Sequence, residues 1–513
     1  MHIPLASQMQ QWDAYTILQA PIASIDLMER AADAAAWWLL QNMPYNQPYF
    51  IMCGRGNNGG DGLAIARLLL LARCQVTVGV LAGEGGSADF LTNLERLRAA
   101  GIEPTTLTTL EDWALPEAGQ IWVDALYGTG LRRPLEGLAA QLAEATHHSG
   151  ATVVSIDLPS GLHADAPLPD ATAVKATYTL SFEAPKLAFF MAETAPYVGT
   201  WQVLPIGLHA GFWEYNSSPY TLMEASQPWA LAPPYHPFVH KGQRGHVLIG
   251  AGSAAMMGAA LLCCQGALQS GAGLITWAGA PAQWPMVQTT APEVICTPAD
   301  SLVQPTYWSQ RRISAAVAGP GWPLDEQHLL MLQYLLEHAT VPLVLDASAL
   351  TLLSQKPHWL HRRAAGHTLV ITPHVGEFDR LFGTSSSHAE RLQKAREVAA
   401  KYNLIIVLKG AYSRVITPGG LVYFNPAANH GMAKAGSGDV LAGLAGGLLA
   451  QPYAPVVAVL QAVFVHGLAG KIATQAATVQ GVTAGAIARA IPQAWKQFLE
   501  GTPTDTPLAN LED

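Results

Sequence analysis

The sequence predicts an α/β protein of two units, each built on a mostly parallel sheet. Three observations predict it. Strand-like runs of β-branched and apolar residues alternate with helix-like segments through both halves of the chain. Polar and glycine-rich loops follow several of those strands, which is where open α/β sheets place their ligands. Between the halves, residues 207–241 read GLHAGFWEYNSSPYTLMEASQPWALAPPYHPFVHK, prolines, aromatics and small polar residues with no clear period, which marks a linker. A boundary at 224/225 divides the 513 residues into units of 1–224 and 225–513, and a chain of this length is too long for one ordinary core.

In the first half the strand-like YFIM (49–52) runs into CGRGNNGGDG (53–62). Glycine allows positive φ and close approach of backbone to a ligand, while Asn and Asp supply compact acceptors, so the loop predicts an anion or nucleotide site. Gly54, Gly56 and Gly59 match G-x-G-x-x-G, a pattern that by itself is weak evidence for a dehydrogenase. The helix-like GLAIARLLLLAR follows, then the strands VTVGVL (76–81), IWVDAL (121–126), ATVVSIDL (151–158) and YTLSF (178–182), with GLAAQLAEATHH as an intervening helix.

The second half restarts with HVLIGAG, a helix around MMGAALLCCQGALQS, and LITWAG. Strands follow at PLVLDA, HTLVITP and LIIVLKG. The apolar AAVAG leads into a Gly-Pro-Gly at 319–321, and AGSGDVLAG (435–443) opens an apolar helix. There, Gly436, Ser437 and Gly438 leave unpaired N–H groups at a helix N-terminus, a ready anion site. Asp439 stands beside them, either as a base toward a hydroxyl receiving phosphate or as a helix cap. Lys409 ends a strand and fits a phosphate contact or a solvated strand end. His374 and Glu377 follow HTLVITP, and Asp346 ends LVLD. Neither half contains GxxxxGK[ST], which excludes a P-loop ATPase and leaves a sugar-kinase-like layout. No short-period repeat is present.

Bulk properties narrow the class. Half of the residues are hydrophobic and only 13% charged, about half the usual share of roughly 25%. A formal charge of −9 with no basic tract argues against nucleic acid. The five cysteines (53, 74, 263, 264, 296) show no CxxC spacing, so neither a zinc site nor a disulfide framework is expected, and a reducing compartment is. The N-terminal residues lack a signal peptide's charge and apolar core, and no stretch reaches eighteen uninterrupted apolar residues. A cytoplasmic enzyme without membrane partners is expected, with an apolar composition suited to a homo-oligomer.

Taken in order, NNGGDG, VDALYGTGL, DLPSGL, HKGQRGHVLIGAG, MGAALLCCQGALQSGAGLITWA, GPG, VLDASAL, TPHVGEF, LKGAYSRV and AGSGDVLAG resemble the bifunctional NAD(P)H-hydrate repair enzymes. The resemblance covers nearly the whole chain and implies a Rossmann-like YjeF epimerase domain at 1–224 and a ribokinase-like α/β/α dehydratase domain at 225–513. It implies epimerisation of R and S NADHX and NADPHX, hydrated at C6 of the nicotinamide ring, then dehydration of the S form with ADP as co-substrate, releasing AMP and phosphate. ATP is the other candidate, and magnesium would bridge the phosphates.

Residue by residue, the resemblance implies that Asn57, Asn58, Gly59, Gly60 and Asp61 line the hydrate site with Asp157. Gly128, Thr129, Gly130, Leu131, Arg132, Arg133 and Pro134 form its phosphate-side loop, and Asn58, Asp124 and Ser160 hold a potassium ion. In the second unit it implies Ala259, Gly321, His374 and Asp439 for the hydrate, with Asp439 as catalytic base. Lys409, Gly410, Ala411, Tyr412, Ser413 and Gly438 would hold the adenine nucleotide. The chain departs from the family pattern at Arg30 and Ala32, at Ser348, and at Lys434 and Ala435, so no role is placed on Ser348. For proton transfer in the epimerase, Asp61, Asp124 and Asp157 are not ranked by sequence; Lys175 and Lys186 are further possibilities that read more readily as solvated or structural. The rival readings are a kinase of a small vitamin-precursor alcohol, a non-catalytic nucleotide sensor and an NAD-dependent dehydrogenase.

Overall fold

The computed structural model describes residues 1–113, 118–166, 172–227, 237–363, 366–427 and 429–501. They form two compact units that part between Tyr220 and Thr221.

The first unit holds β1 (Tyr49–Cys53), β2 (Val76–Leu81), β3 (Thr105–Leu107), β4 (Ile121–Ala125), β5 (Thr152–Ile156), β6 (Tyr178–Phe182) and β7 (Thr200–Leu204). Their order across the sheet is β3-β2-β1-β4-β5-β6-β7, with every neighbour parallel. The inner strands are buried on both faces and therefore read as continuous apolar runs. From β1 the chain builds outward to β3, then crosses to β4 and builds the other way. The strand order reverses between β1 and β4, and the crevice beyond their C-terminal ends is a topological switch point.

The second unit holds β8 (Tyr220–Leu222), β9 (His246–Gly250), β10 (Leu274–Ala278), β11 (Ile295–Thr297), β12 (Ala315–Ala318), β13 (Leu343–Leu345), β14 (Leu369–Ile371), β15 (Leu404–Leu408), β16 (Arg414–Ile416) and β17 (Val422–Phe424). The order is β11-β10-β9-β12-β13-β14-β15-β16-β17-β8. It is parallel from β11 to β15, and β15 to β17 run antiparallel. Its switch point lies between β9 and β12.

Two expectations change. Part of the predicted linker is ordered: Phe212 is buried among core residues with Trp12, Tyr220 and Leu222 are buried in β8, and Met223 N donates to Phe424 O at 2.9 Å. These few apolar residues anchor a segment whose composition shows no period, and the division falls at 220/221 rather than 224/225; residues 228–236 of that linker lie outside the described residues. One helix, Pro455–Gly481, is long and apolar enough to cross a membrane, although Lys471 and several polar residues interrupt the run. Its most apolar window is 83% buried, in the second unit's core.

Candidate active sites

In the first unit, Gly56 caps the helix Asn57–Leu71, so residues 57–61 form its opening turn directly beyond β1. The turn can sit there only because of glycine: a Cβ on Gly59 would lie 1.8 Å from Gly54 O, and one on Gly54 would lie 1.9 Å from Leu126 O. Asn58 is buried against Gly128, so the loop after β1 meets the loop after β4, where Arg132 and Arg133 stand exposed. The Asn58 side-chain nitrogen is buried without a hydrogen-bond partner.

Asp124, in β4, is fully buried. Its oxygens accept from Ser155 Oγ (2.8 Å), Ser160 N (2.9 Å), Ser160 Oγ and Leu126 N (3.3 Å). Burial raises its pKa against these bonds. Neutral donors alone surround this carboxylate, and no cationic side chain pairs with it among the described residues. With Asn58 and Ser160 it makes a hard-oxygen set with one negative charge, which fits a large monovalent cation.

Asp157 follows β5 in a positive-φ conformation (66°). Lys186 reaches it at 2.7 Å and is wholly buried. Lys186 also donates to Ser181 Oγ (2.9 Å) and Ala184 O (3.1 Å). Of the two readings of Lys186, solvated or structural, burial removes the first: its ammonium is fixed on Asp157, Ser181 and Ala184. Lys175 is exposed as expected. Asp13, which the sequence reading passed over, belongs here too. Its carboxyl is pushed up to about 7, first by burial and then by Asp157, with Lys186 opposing and Glu183 adding.

In the second unit the site forms where β12 to β15 end. Lys409, beyond β15, donates to Asp346 at 2.8 Å and lies 4.0 Å from Glu377. His374 caps the helix Val375–Phe382, accepting from Gly376 N, while Glu377 accepts from His374 N at 2.8 Å. The turn after Lys409 is closed at Ser413, whose Oγ lies 3.4 Å from Gly410 N. Ala259 and Gly321 adjoin, a Cβ on Gly321 falling 2.8 Å from that of Ala259.

Gly436, at φ 91°, starts the helix Ser437–Leu449. A Cβ on Gly438 would lie 3.1 Å from Lys409 Nζ and 3.5 Å from Asp346 Oδ2, so the first-turn amides open beside a fixed ammonium. Asp439 sits in that turn, while the helix cap is Gly436. Burial first, then Asp346, push its carboxyl up to about 7 against the pull of Lys409. Burial also lowers Lys409's pKa, but Asp346, Glu377 and Asp439 outweigh it and the net shift is upward. His466, in the long core helix, is pushed down to about 4 by burial, with Lys409 adding to it against the hydrogen bond to Ser437. The neutral ring lies 3.0 Å from Ser437 O through Nε2 and holds the peptide that presents the Gly438 amide. Asp346 and Glu377, each named in the sequence after an apolar strand, lie beside Lys409; His466, on the long core helix, carries no signal in the sequence.

Family models for a YjeF-related N-terminus and for NAD(P)H-hydrate dehydratase match residues 24–188 and 247–493. The bifunctional NAD(P)H-hydrate repair enzyme of Thermofilum pendens is 35% identical over 489 residues, covering 92% of each chain. The chain belongs to the bifunctional NAD(P)H-hydrate repair enzymes. The family member from Escherichia coli is 31% identical over 451 residues, covering 87% of this chain and 85% of its own. Among solved structures, the ADP/ATP-dependent NAD(P)H-hydrate dehydratase of Bacillus subtilis, co-crystallised with ATP and Mg2+, is 30% identical. It covers 54% of this chain and 98% of its own, with a TM-score of 0.47. Within this family the first unit has the Rossmann-like YjeF fold and the second the ribokinase-like α/β/α fold.

Proposed function

We propose that the two units act in sequence on hydrated nicotinamide cofactors. The first interconverts R and S NAD(P)HX, and the second dehydrates the S form to NAD(P)H. The carrying observation is the second site's arrangement of Asp439, the Ser437–Gly438 amides and the Lys409–Asp346 pair. Asp439 takes the proton of the C6 hydroxyl as that oxygen attacks the terminal phosphorus of ADP. The bond to the leaving AMP breaks, while Lys409 and the helix amides receive the charge of the transferred group. A proton then passes from C5 to solvent water, the C5=C6 double bond forms and phosphate departs, a far better leaving group than hydroxide. Magnesium would be held by the nucleotide's phosphates and would supply counter-charge to the transferred group.

In the first unit Asn58, Asp124 and Ser160 would hold potassium. When bound it supplies the counter-charge that buried Asp124 lacks, next to the Gly128–Pro134 loop. Arg132 and Arg133 present the charge for the dinucleotide's phosphates. We place the enzyme in the cytoplasm, which the five free cysteines support, and expect a homo-oligomer with small-molecule substrates only.

A mixture of R and S NADHX tests the reading, with absorbance of the reduced nicotinamide followed after adding ADP or ATP. Wild type recovers the whole mixture, ADP being the faster donor, and Asp439→Ala recovers none. Recovery of only the S fraction removes the epimerase. No recovery with either nucleotide, but phosphorylation of a thiazole or pyrimidine alcohol, replaces the reading with the small-alcohol kinase.

A further inference from the structure

Behind the Ser437–Gly438 peptide of the second site stands a buried histidine. His466 lies on the helix Pro455–Gly481, and its Nε2 is 3.0 Å from Ser437 O. A carbonyl oxygen can only accept, so the hydrogen sits on Nε2 and the contact fixes the tautomer. Ser437 Oγ, at 3.5 Å, is too far to compete for that hydrogen. The ring donates as a neutral group, since burial pushes its pKa down to about 4. The helix that carries it is closely seated. A Cβ on Gly467 would lie 2.4 Å from Asn425 Nδ2, and one on Gly470 would lie 2.2 Å from Met432 Sδ. Asn425 in turn donates to Val463 O at 2.8 Å and accepts from Ala427 N at 3.1 Å. The imidazole is thus held at a set depth behind the turn that opens the helix Ser437–Leu449.

Ser437 O belongs to the same peptide whose N–H is that of Gly438. In a trans peptide the two groups point opposite ways, so a donor behind Ser437 O holds the Gly438 N–H outward at the N-terminal end of the helix. That end lies beside Lys409, whose Nζ is 3.1 Å from where a Cβ on Gly438 would sit. We propose that His466 is a positioning residue for the phosphoryl transfer: its Nε2–H fixes and polarises the Ser437–Gly438 peptide, and so aims the Gly438 amide at the phosphoryl group in transit. The assignment rests on the reading of the second unit as the dehydratase. Two effects act together. Hydrogen bonds in a chain polarise one another, so donation into Ser437 O makes the Gly438 N–H a stronger donor. An amide already in place also needs no rearrangement when charge develops on the phosphoryl oxygens. His466 takes and gives no proton in this role, and Asp439 stays the base. Losing its donor weakens an interaction made mostly in the transition state, so kcat falls more than KM rises.

The test uses the full chain with S-NADHX and ADP, and takes kcat and KM from the absorbance of the reduced nicotinamide. A Gln side chain places its N–H near the position of Nε2, whereas Asn reaches only that of Nδ1. His466→Gln therefore stays within about fivefold of wild type. His466→Asn and His466→Leu each lower kcat about 10–100-fold, with KM for ADP within about threefold. Epimerisation of R-NADHX stays at the wild-type rate in all three. A histidine needed only for packing would neither separate Gln from Asn nor spare KM. If His466→Leu fails to fold, judged by its melting curve, the comparison of Gln with Asn decides alone. If Asn fails to fold as well, the residue is structural and the assignment falls. A kcat for Asn within about threefold of wild type overturns it, as does Gln as slow as Asn, or a change confined to KM. If wild type recovers no NADH with ADP or ATP, the dehydratase reading itself fails and takes the assignment with it.

Discussion

Asp439 is a half-buried carboxyl that, as the proposed base, would link the activity and the stability of the second unit. Burial first, then Asp346, raise its pKa to about 7, and Lys409 only partly opposes them. As the proposed base it must be ionised, so kcat/KM for dehydration is expected to rise with pH through about 7 and to be lost below it. Stability runs the other way. The folded-state pKa lies above the ordinary value near 3.8, so the folded chain binds this proton more tightly than the unfolded chain does. The stabilisation is fully present below about pH 4 and is lost as pH rises through about 7. Asp439→Asn therefore abolishes dehydration yet melts at a higher temperature than wild type at pH 8, with little difference at pH 4. Melting curves at the two values check it; equal curves at pH 8 would show that Lys409 offsets the buried charge completely.

Among the elements, the helix Ser437–Leu449 decides the second site, and its placement depends on its crossing with Met257–Leu268. A Cβ on Gly443 would sit 1.9 Å from Cys263 O, and one on Gly266 would sit 2.1 Å from Val440 O. Gly443→Ala forces the helices apart, costs about 1–3 kcal/mol and displaces the Gly438 amide from Lys409. We expect a lowered urea midpoint and a dehydration rate at least tenfold down, with epimerisation unchanged; an intact rate would mean that the amides tolerate the shift. The apolar strands and the GSGD turn were legible in the sequence because each is a local pattern. β3 and β11 escaped because three residues carry no period, and β7 because four of its five residues are only half-buried. Asp13 escaped for a different reason. It lies on a helix far in sequence from Asp61 and Asp157, and only the fold brings these carboxyls together. Lys186 was left between a solvated and a structural reading because a lysine's usual place is at the surface, and nothing local announces a carboxylate beside its ammonium.

For the whole molecule, the relevant fact is that each unit completes its own sheet and closes its own apolar core. The residues proposed for each site also fall within one unit: Asn58, Asp61, Asp124 and Asp157 in the first, Asp346, Lys409 and Asp439 in the second. On that proposal chemistry in one unit needs no group from the other, and we expect the hydrate to pass between them through solvent. Two crippled chains test this. Gly59→Ala drives a Cβ into Gly54 O and removes the epimerase turn, leaving dehydration of the S form intact. Asp439→Ala removes dehydration and leaves inversion intact. Given a mixture of R and S NADHX with ADP, the first chain recovers the S fraction rapidly and the R fraction only at the spontaneous rate of inversion, and the second recovers nothing. Mixed in equal amounts, they recover both fractions. Dilution at a fixed ratio lowers both enzymatic rates in proportion to protein concentration, as for two enzymes sharing a diffusing intermediate. If the mixture stays as slow on the R fraction as Gly59→Ala alone, the hydrate is handed over within one assembly, and the two units are coupled in a way their separate cores do not require.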